Sequence, residues 1–187
     1  MKMKVVLKNV RLSFPNLFVA TVPKDYPTQK PAYSASFTFD KNDDNHKKLE
    51  EAVKTVAEDM FKTKAGKKLA EFRPNKMKFP IKDGDDSEKD YLKGKMTITA
   101  KRQASLGRPL VINSDKTPLT ADDDKMYGGV WVNASVEIWA QDMPNDGIRC
   151  QLLAVQFSKH GERLGGSAPT DADFEEIEVS DDEELIG

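Results

Sequence analysis

Thirteen residues, Val130 to Asp142, read VWVNASVEIWAQD and alternate without a break. Val130, Val132, Ala134, Val136 and Ile138 share one parity, while Trp131, Asn133, Ser135, Glu137 and Trp139 share the other. A period of two describes a strand with one buried face and excludes an amphipathic helix. The turn residues PNDG follow, and IRCQLLAVQFSK at 148–159 returns as a second strand, so the pair predicts a hairpin.

The same period recurs upstream. In 4–14, Val10, Leu12 and Phe14 take one face of a strand that PNLF then breaks, and 19–31, with Pro23, Pro27 and Pro31, reads as a loop. In 32–39, Tyr33, Ala35, Phe37 and Phe39 alternate with Ser34, Ser36 and Thr38. Residues 96–102 form another strand with Met96, Ile98 and Ala100 inward, and 110–112 a short one. Residues 73–95 and 113–129 read as loops. The period changes only once. Leu49, Val53, Val56 and Met60 predict a helix over about 44–63, with room to extend to about 70, capped by Asp43 or Asp44 and packed on one side of a sheet. Five or six strands, antiparallel order and one substantial helix between early strands predict a mainly β protein built as a small barrel with extended loops.

Charge divides the chain in two. It has 29 basic and 31 acidic residues, but the last seventeen, DADFEEIEVSDDEELIG, hold nine acids and no Lys or Arg. Residues 1–170 therefore carry 29 basic against 22 acidic residues. The nine acids are Asp171, Asp173, Glu175, Glu176, Glu178, Asp181, Asp182, Glu183 and Glu184. A segment this poor in apolar surface is expected to stay disordered. The expected division is a folded domain over 1–167 and an acidic tail over 168–187. A basic body suits a polyanionic ligand, and the tail suits either competition for the same surface or recruitment of a protein partner.

Catalysis lacks raw material. The Walker pattern GxxxxGK[ST] and the GxSxG elbow are absent. Carboxylates in ADDDK (121–125) are successive and point apart, and HGER (160–163) has no nucleophile beside it. One cysteine, Cys150, and two distant histidines, His46 and His160, do not make a metal set. No enzyme activity, metal or cofactor is expected. The N-terminus lacks a signal-peptide pattern and no run of 18 apolar residues occurs, so a soluble protein of a reducing compartment, the cytoplasm, is expected.

Single-stranded nucleic acid is bound by cations that neutralise phosphates and aromatics that stack on bases. Trp131 and Trp139, among polar neighbours, are candidate stacking platforms, although Glu137 between them opposes a phosphate. YLKGKMTITAKR contributes Tyr91, Lys93, Lys95, Lys101 and Arg102, QASLGRP adds Arg108, and RPNKMKF adds Arg73, Lys76 and Lys78.

LKNVRLSFPNLF, YSASFTF and GGVWVNASVEIWAQD…GIRCQLLAVQFSKHGERLGG together resemble a family of phage-encoded single-stranded-DNA-binding proteins. That resemblance implies an oligonucleotide-binding (OB) five-stranded barrel, coating of single strands in phage replication and recombination, and an acidic C-terminal tail; as an exposed handle, the tail is expected to recruit replication or recombination proteins. Its motif falls on Tyr33, Phe37, Trp131, Trp139, Phe157, Gly161, Glu162 and Arg163, which adds Tyr33 and Phe37 to the candidate DNA contacts. A homodimer is open, since edge strands of such a barrel can pair. Two other readings of the barrel remain: a virion structural or assembly protein, and an RNA-binding annealing chaperone.

Overall fold

A computed structural model describes residues 1–164. The acidic residues Asp171 to Glu184 and the expected boundary at 167/168 lie outside the described residues.

Seven strands and a broken helix follow in chain order: β1 (Lys2–Thr21), β2 (Ala32–Asp40), α1 (Asp44–Phe61), α2 (Ala65–Phe72), β3 (Ile81–Asp83), β4 (Lys95–Gln103), β5 (Leu110–Ile112), β6 (Trp131–Gln141) and β7 (Gly147–Lys159). The sheet order is β3-β4-β2-β1-β6-β7-β5, and an additional β4–β7 pairing, parallel at Lys101 and Gln151, closes β1, β2, β4, β7 and β6 into a five-stranded barrel. This is the expected OB-type, mainly β architecture. The expected hairpin is β6–β7, antiparallel from Trp131–Lys159 to Gln141–Gly147.

The barrel interior takes the apolar parity of each strand, including Leu7, Val10, Leu12, Phe37, Ile98, Val132, Ile138 and Leu152. The helix seats Leu49, Val53 and Val56 into the same core. Asp43 is the N-cap, its Oδ1 accepting from the His46 amide at 2.8 Å. A single 3-10 turn at 62–64 separates α1 from α2, so the helical segment runs beyond 70. Asn45 fastens α1 to β1, exchanging hydrogen bonds with the Lys8 backbone at 2.9 and 3.0 Å. Cys150 is buried, and desolvation pushes its thiol pKa well up.

Three expectations change. PNLF does not end the first strand, because β1 runs on through it to Thr21. Pro15 falls within an irregularity between the Ser13–Ser36 and Asn16–Ser34 pairs, where its missing N–H costs the ladder nothing. Phe14 also leaves the face of Val10 and Leu12. It sits at φ +48° and is 63% exposed. The bulge shifts the strand's parity and turns the ring outward. Within the expected 73–95 loop, β3 adds three residues to the edge of β4.

Candidate nucleic-acid interface

The alternation of β2 points Ser34, Ser36 and Thr38 away from the core, and β4 sets Lys101, Thr99 and Thr97 opposite them. Ser36 Oγ and Thr99 Oγ1 are 2.9 Å apart, and Thr38 Oγ1 and Thr97 Oγ1 are 3.4 Å apart. Short hydroxyl side chains make a flat polar floor. Above it lies a groove of about 710 Å³, walled by β1, by the segment 73–82 that follows α2, and by the β3–β4 connection.

Phe14 stands on one side of the groove and Tyr91 lines it from the β3–β4 connection. Lys89 lies between them, with Nζ 4.4 Å from the Phe14 ring centroid and 5.8 Å from that of Tyr91. Lys76 and Lys82 line the same groove, and neither they nor Lys89 forms an ion pair among the described residues. Arg73 is held in place by Glu50, its two guanidinium nitrogens donating to the carboxylate at 3.1 and 2.6 Å, and lies over Phe79 at 4.7 Å. The connection itself is stapled. Lys41 joins Asp83 at 2.8 Å and Asp85 at 2.5 Å. The Lys41 hydrogen bond holds Asp83 below its ordinary pKa, while Asp85 is lowered first by the Gly94 amide and then by Lys41.

The sequence-predicted contacts divide. Tyr91 lines the groove. Lys93 donates to the Ser87 carbonyl at 2.6 Å and that of Asp85 at 3.2 Å, which shapes the wall instead of facing a ligand. Lys95 is paired with Asp40. Lys101 is exposed on the outward face of β4, beyond the Ser/Thr floor. Arg102 donates to the carbonyls of Leu106 and Gly107, both at 2.9 Å, and so braces the turn after β4. Arg108 is exposed just before β5 and does not line the groove. Lys78 is bound to Asp146 at 2.7 Å. Tyr33 is half-buried opposite Arg102. Phe37 is a correction: it is fully buried at 0% exposure, so its ring packs the barrel beneath the groove and cannot meet a base. Trp131 and Trp139 are half-buried on the outward face of β6, a strand that contributes nothing to the groove. Sequence reasoning missed Phe14, Lys82 and Lys89. The one local signal for Phe14 is the proline behind it, which disfavours regular pairing there.

The remaining motif residues form a clasp. Gly161 N donates to Tyr127 Oη at 3.1 Å, Arg163 lies over the Tyr127 ring at 4.3 Å, and Leu164 N donates to the Gly128 carbonyl at 2.9 Å. Arg11 Nη2 donates to the Glu162 carbonyl at 2.6 Å. A Cβ on Gly129 would lie 2.0 Å from the Glu162 carbonyl oxygen, and one on Gly161 would lie 2.2 Å from that of Gly129. The two glycine-bearing motifs are thus the two halves of one close backbone contact, which ends the described chain beside β1.

A family profile described as Enterobacter phage Enc34, ssDNA-binding protein, matches residues 3–186. The chain belongs to this family. A protein designated p50 of Acyrthosiphon pisum secondary endosymbiont phage 1 is 33% identical over 187 residues, covering 98% of this chain and 99% of that one. Among solved structures, the single-stranded DNA-binding protein from bacteriophage Enc34 in complex with ssDNA superposes with a TM-score of 0.69 at 28% identity, over 87% of this chain and 89% of that one. Gp2.5, a single-stranded DNA binding protein encoded by bacteriophage T7, shares the fold at a TM-score of 0.56 and 16% identity, over 96% of this chain and 98% of its own. The family member's barrel is therefore shared here over nearly all the described residues. Among those residues no cluster of His, Cys, Asp or Glu is arranged to hold a metal ion, and no helix is long and apolar enough to cross a membrane.

Proposed function

We propose that the chain binds single-stranded DNA, without reading sequence, in the groove over β2 and β4. The observation that carries this reading is Phe14, an exposed aromatic at a left-handed backbone position, facing Tyr91 with Lys89 between them. An exposed phenylalanine with an outlying backbone costs stability and is kept where it serves binding. Phe14 and Tyr91 offer faces to bases, Lys76, Lys82 and Lys89 offer charge to phosphates, and the hydroxyl floor offers hydrogen bonds to any base edge. Binding of this kind consumes no energy and breaks no bond, so the protein acts stoichiometrically, coating single strands during phage replication and recombination in the host cytoplasm.

The acidic tail completes the reading. Its nine carboxylates resemble a short run of phosphates, and the described chain ends at the clasp beside Arg11, three residues along β1 from Phe14. A tail starting there competes with DNA for the groove and, once displaced, presents Leu185–Ile186 behind its acids to replication or recombination partners.

The test is fluorescence anisotropy with labelled oligo-dT. Phe14→Ala combined with Lys89→Ala is expected to weaken binding about 30-fold or more, from one lost stack and one lost phosphate contact. Wild-type affinity in a folded double variant would place the DNA elsewhere.

A further inference from the structure

The outward side of β1, β6 and β7, away from the groove, is a second basic and aromatic surface. Lys2, Lys4, Arg11 and Lys159 project there, against one carboxylate on outward β6 positions, Glu137. That carboxylate is already matched by Lys2 at 3.7 Å. Each tryptophan has its own cation: Lys2 Nζ lies 5.2 Å from the Trp139 ring, and Arg11 and Lys159 lie 5.7 and 5.3 Å from the Trp131 ring. Between the two rings run Asn133, bonded to Gln156 at 3.2 Å, and Ser135. Eight residues of strand separate the tryptophans by roughly 26 Å.

We propose that this face is a second binding surface for single-stranded DNA, taking the segment of strand that leaves the groove. The inference rests on the groove reading above, and continuity supports it. Phe14 at the groove and Arg11 under Trp131 are three residues apart on the same strand, about 10 Å. A strand passing Phe14 meets Trp131 and Lys159 next, beside Arg11, whose guanidinium is held by the Gly129 and Glu162 carbonyls, and the β6 face then leads it toward Lys4 and Trp139. Glu137, which as a free carboxylate would repel a phosphate, is paired with Lys2 at 3.7 Å, and Lys4 lies opposite it on β1. The surface is built from strands, so its cations and rings keep fixed spacing, as a track for a sugar-phosphate chain requires.

Because the only two tryptophans of the chain lie on this face, oligonucleotide length separates the two sites. An oligo-dT of about 6 nucleotides fills the groove, and one of about 25 reaches the second face. The short oligomer is expected to bind by anisotropy with tryptophan emission unchanged, and the long one to quench it. Trp139→Phe with Lys4→Gln is expected to leave short-oligomer affinity within twofold, weaken the long oligomer about 5-fold or more, and lower its salt slope by about 0.7 for the lost phosphate contact. Phe14→Ala with Lys89→Ala weakens both lengths. Long-oligomer affinity and salt slope unchanged in the Trp139/Lys4 variant would overturn the second surface and leave the groove intact. Quenching by the short oligomer, with no loss in the Phe14/Lys89 variant, would overturn the groove reading itself.

Discussion

The two outward faces of the barrel are built in opposite ways. The groove floor on β2 and β4 carries small hydroxyls on its strands and borrows its aromatic rings and cations from a bulge in β1 and from β3 and the segments flanking it. The face of β6 carries its tryptophans on the strand itself, with cations supplied by the adjacent strands β1 and β7. The first arrangement makes a concave site with walls, and the second a shallow track. A strand face can therefore look barren in sequence and still be the floor of a site, because the chemistry arrives from elsewhere in the chain.

The largest effect expected of any substitution that separates these regions is at Phe37, beneath the groove floor. Phe37→Ala should cost about 3–5 kcal/mol of stability, read by denaturant unfolding, since it removes a fully buried ring. Unfolding little changed by that substitution would mean that the floor is not braced by the core as described. Next is the clasp. Gly129→Ala forces a Cβ against the Glu162 carbonyl at a left-handed position, φ +114°, and should free residues 160–164, seen as loss of amide protection at Leu164.

Removing residues 171–187 is the third test. It should raise affinity for oligo-dT several-fold at low salt and have less effect at high salt, because the competing carboxylates are screened. Affinity unchanged or lowered by truncation rules out competition for the groove.

A smaller effect belongs to the β6–β7 turn, which both faces share as a support. Asp146 is buried between Lys68 at 3.0 Å and Lys78 at 2.7 Å. Hydrogen bonds from Lys78 and then Lys68 hold its carboxyl below the ordinary value of 3.8. A depressed folded-state pKa gives stability that is complete above the unfolded value and is lost as pH falls from 3.8 toward the lower folded value. Asp146→Asn should flatten the acid limb of stability in that window and leave the slope near neutral pH as it was. An unaltered acid limb would remove Asp146 from the acid response.

Much of the fold was legible locally. Period-two alternation in Val130–Asp142, in 32–39 and in 96–102 placed three barrel strands and the parity of their cores, and the helical spacing of Leu49, Val53 and Val56 placed α1. The acidic tail was visible as composition alone. The candidate site was less legible, because parity says which face of a strand a residue takes and not what covers that face. Phe37 and Trp131 show the two outcomes: one ring lies in the core, and the other lies outside, on a face away from the groove. Lys93, Lys95 and Arg102 looked free in sequence and are occupied by carbonyls or a carboxylate that only folding brings near.

The sequence by itself determined the periodicities, hence the β class, the single helical segment and the separation of charge between body and tail, since each depends on neighbours along the chain. Tertiary structure alone decided that β4 meets β7 to close the barrel, that Phe14 turns outward at a bulge, and that Lys89, 75 residues farther on, lies over its ring. Those are contacts between distant segments, and their register is set by how the whole core packs, which no local pattern encodes.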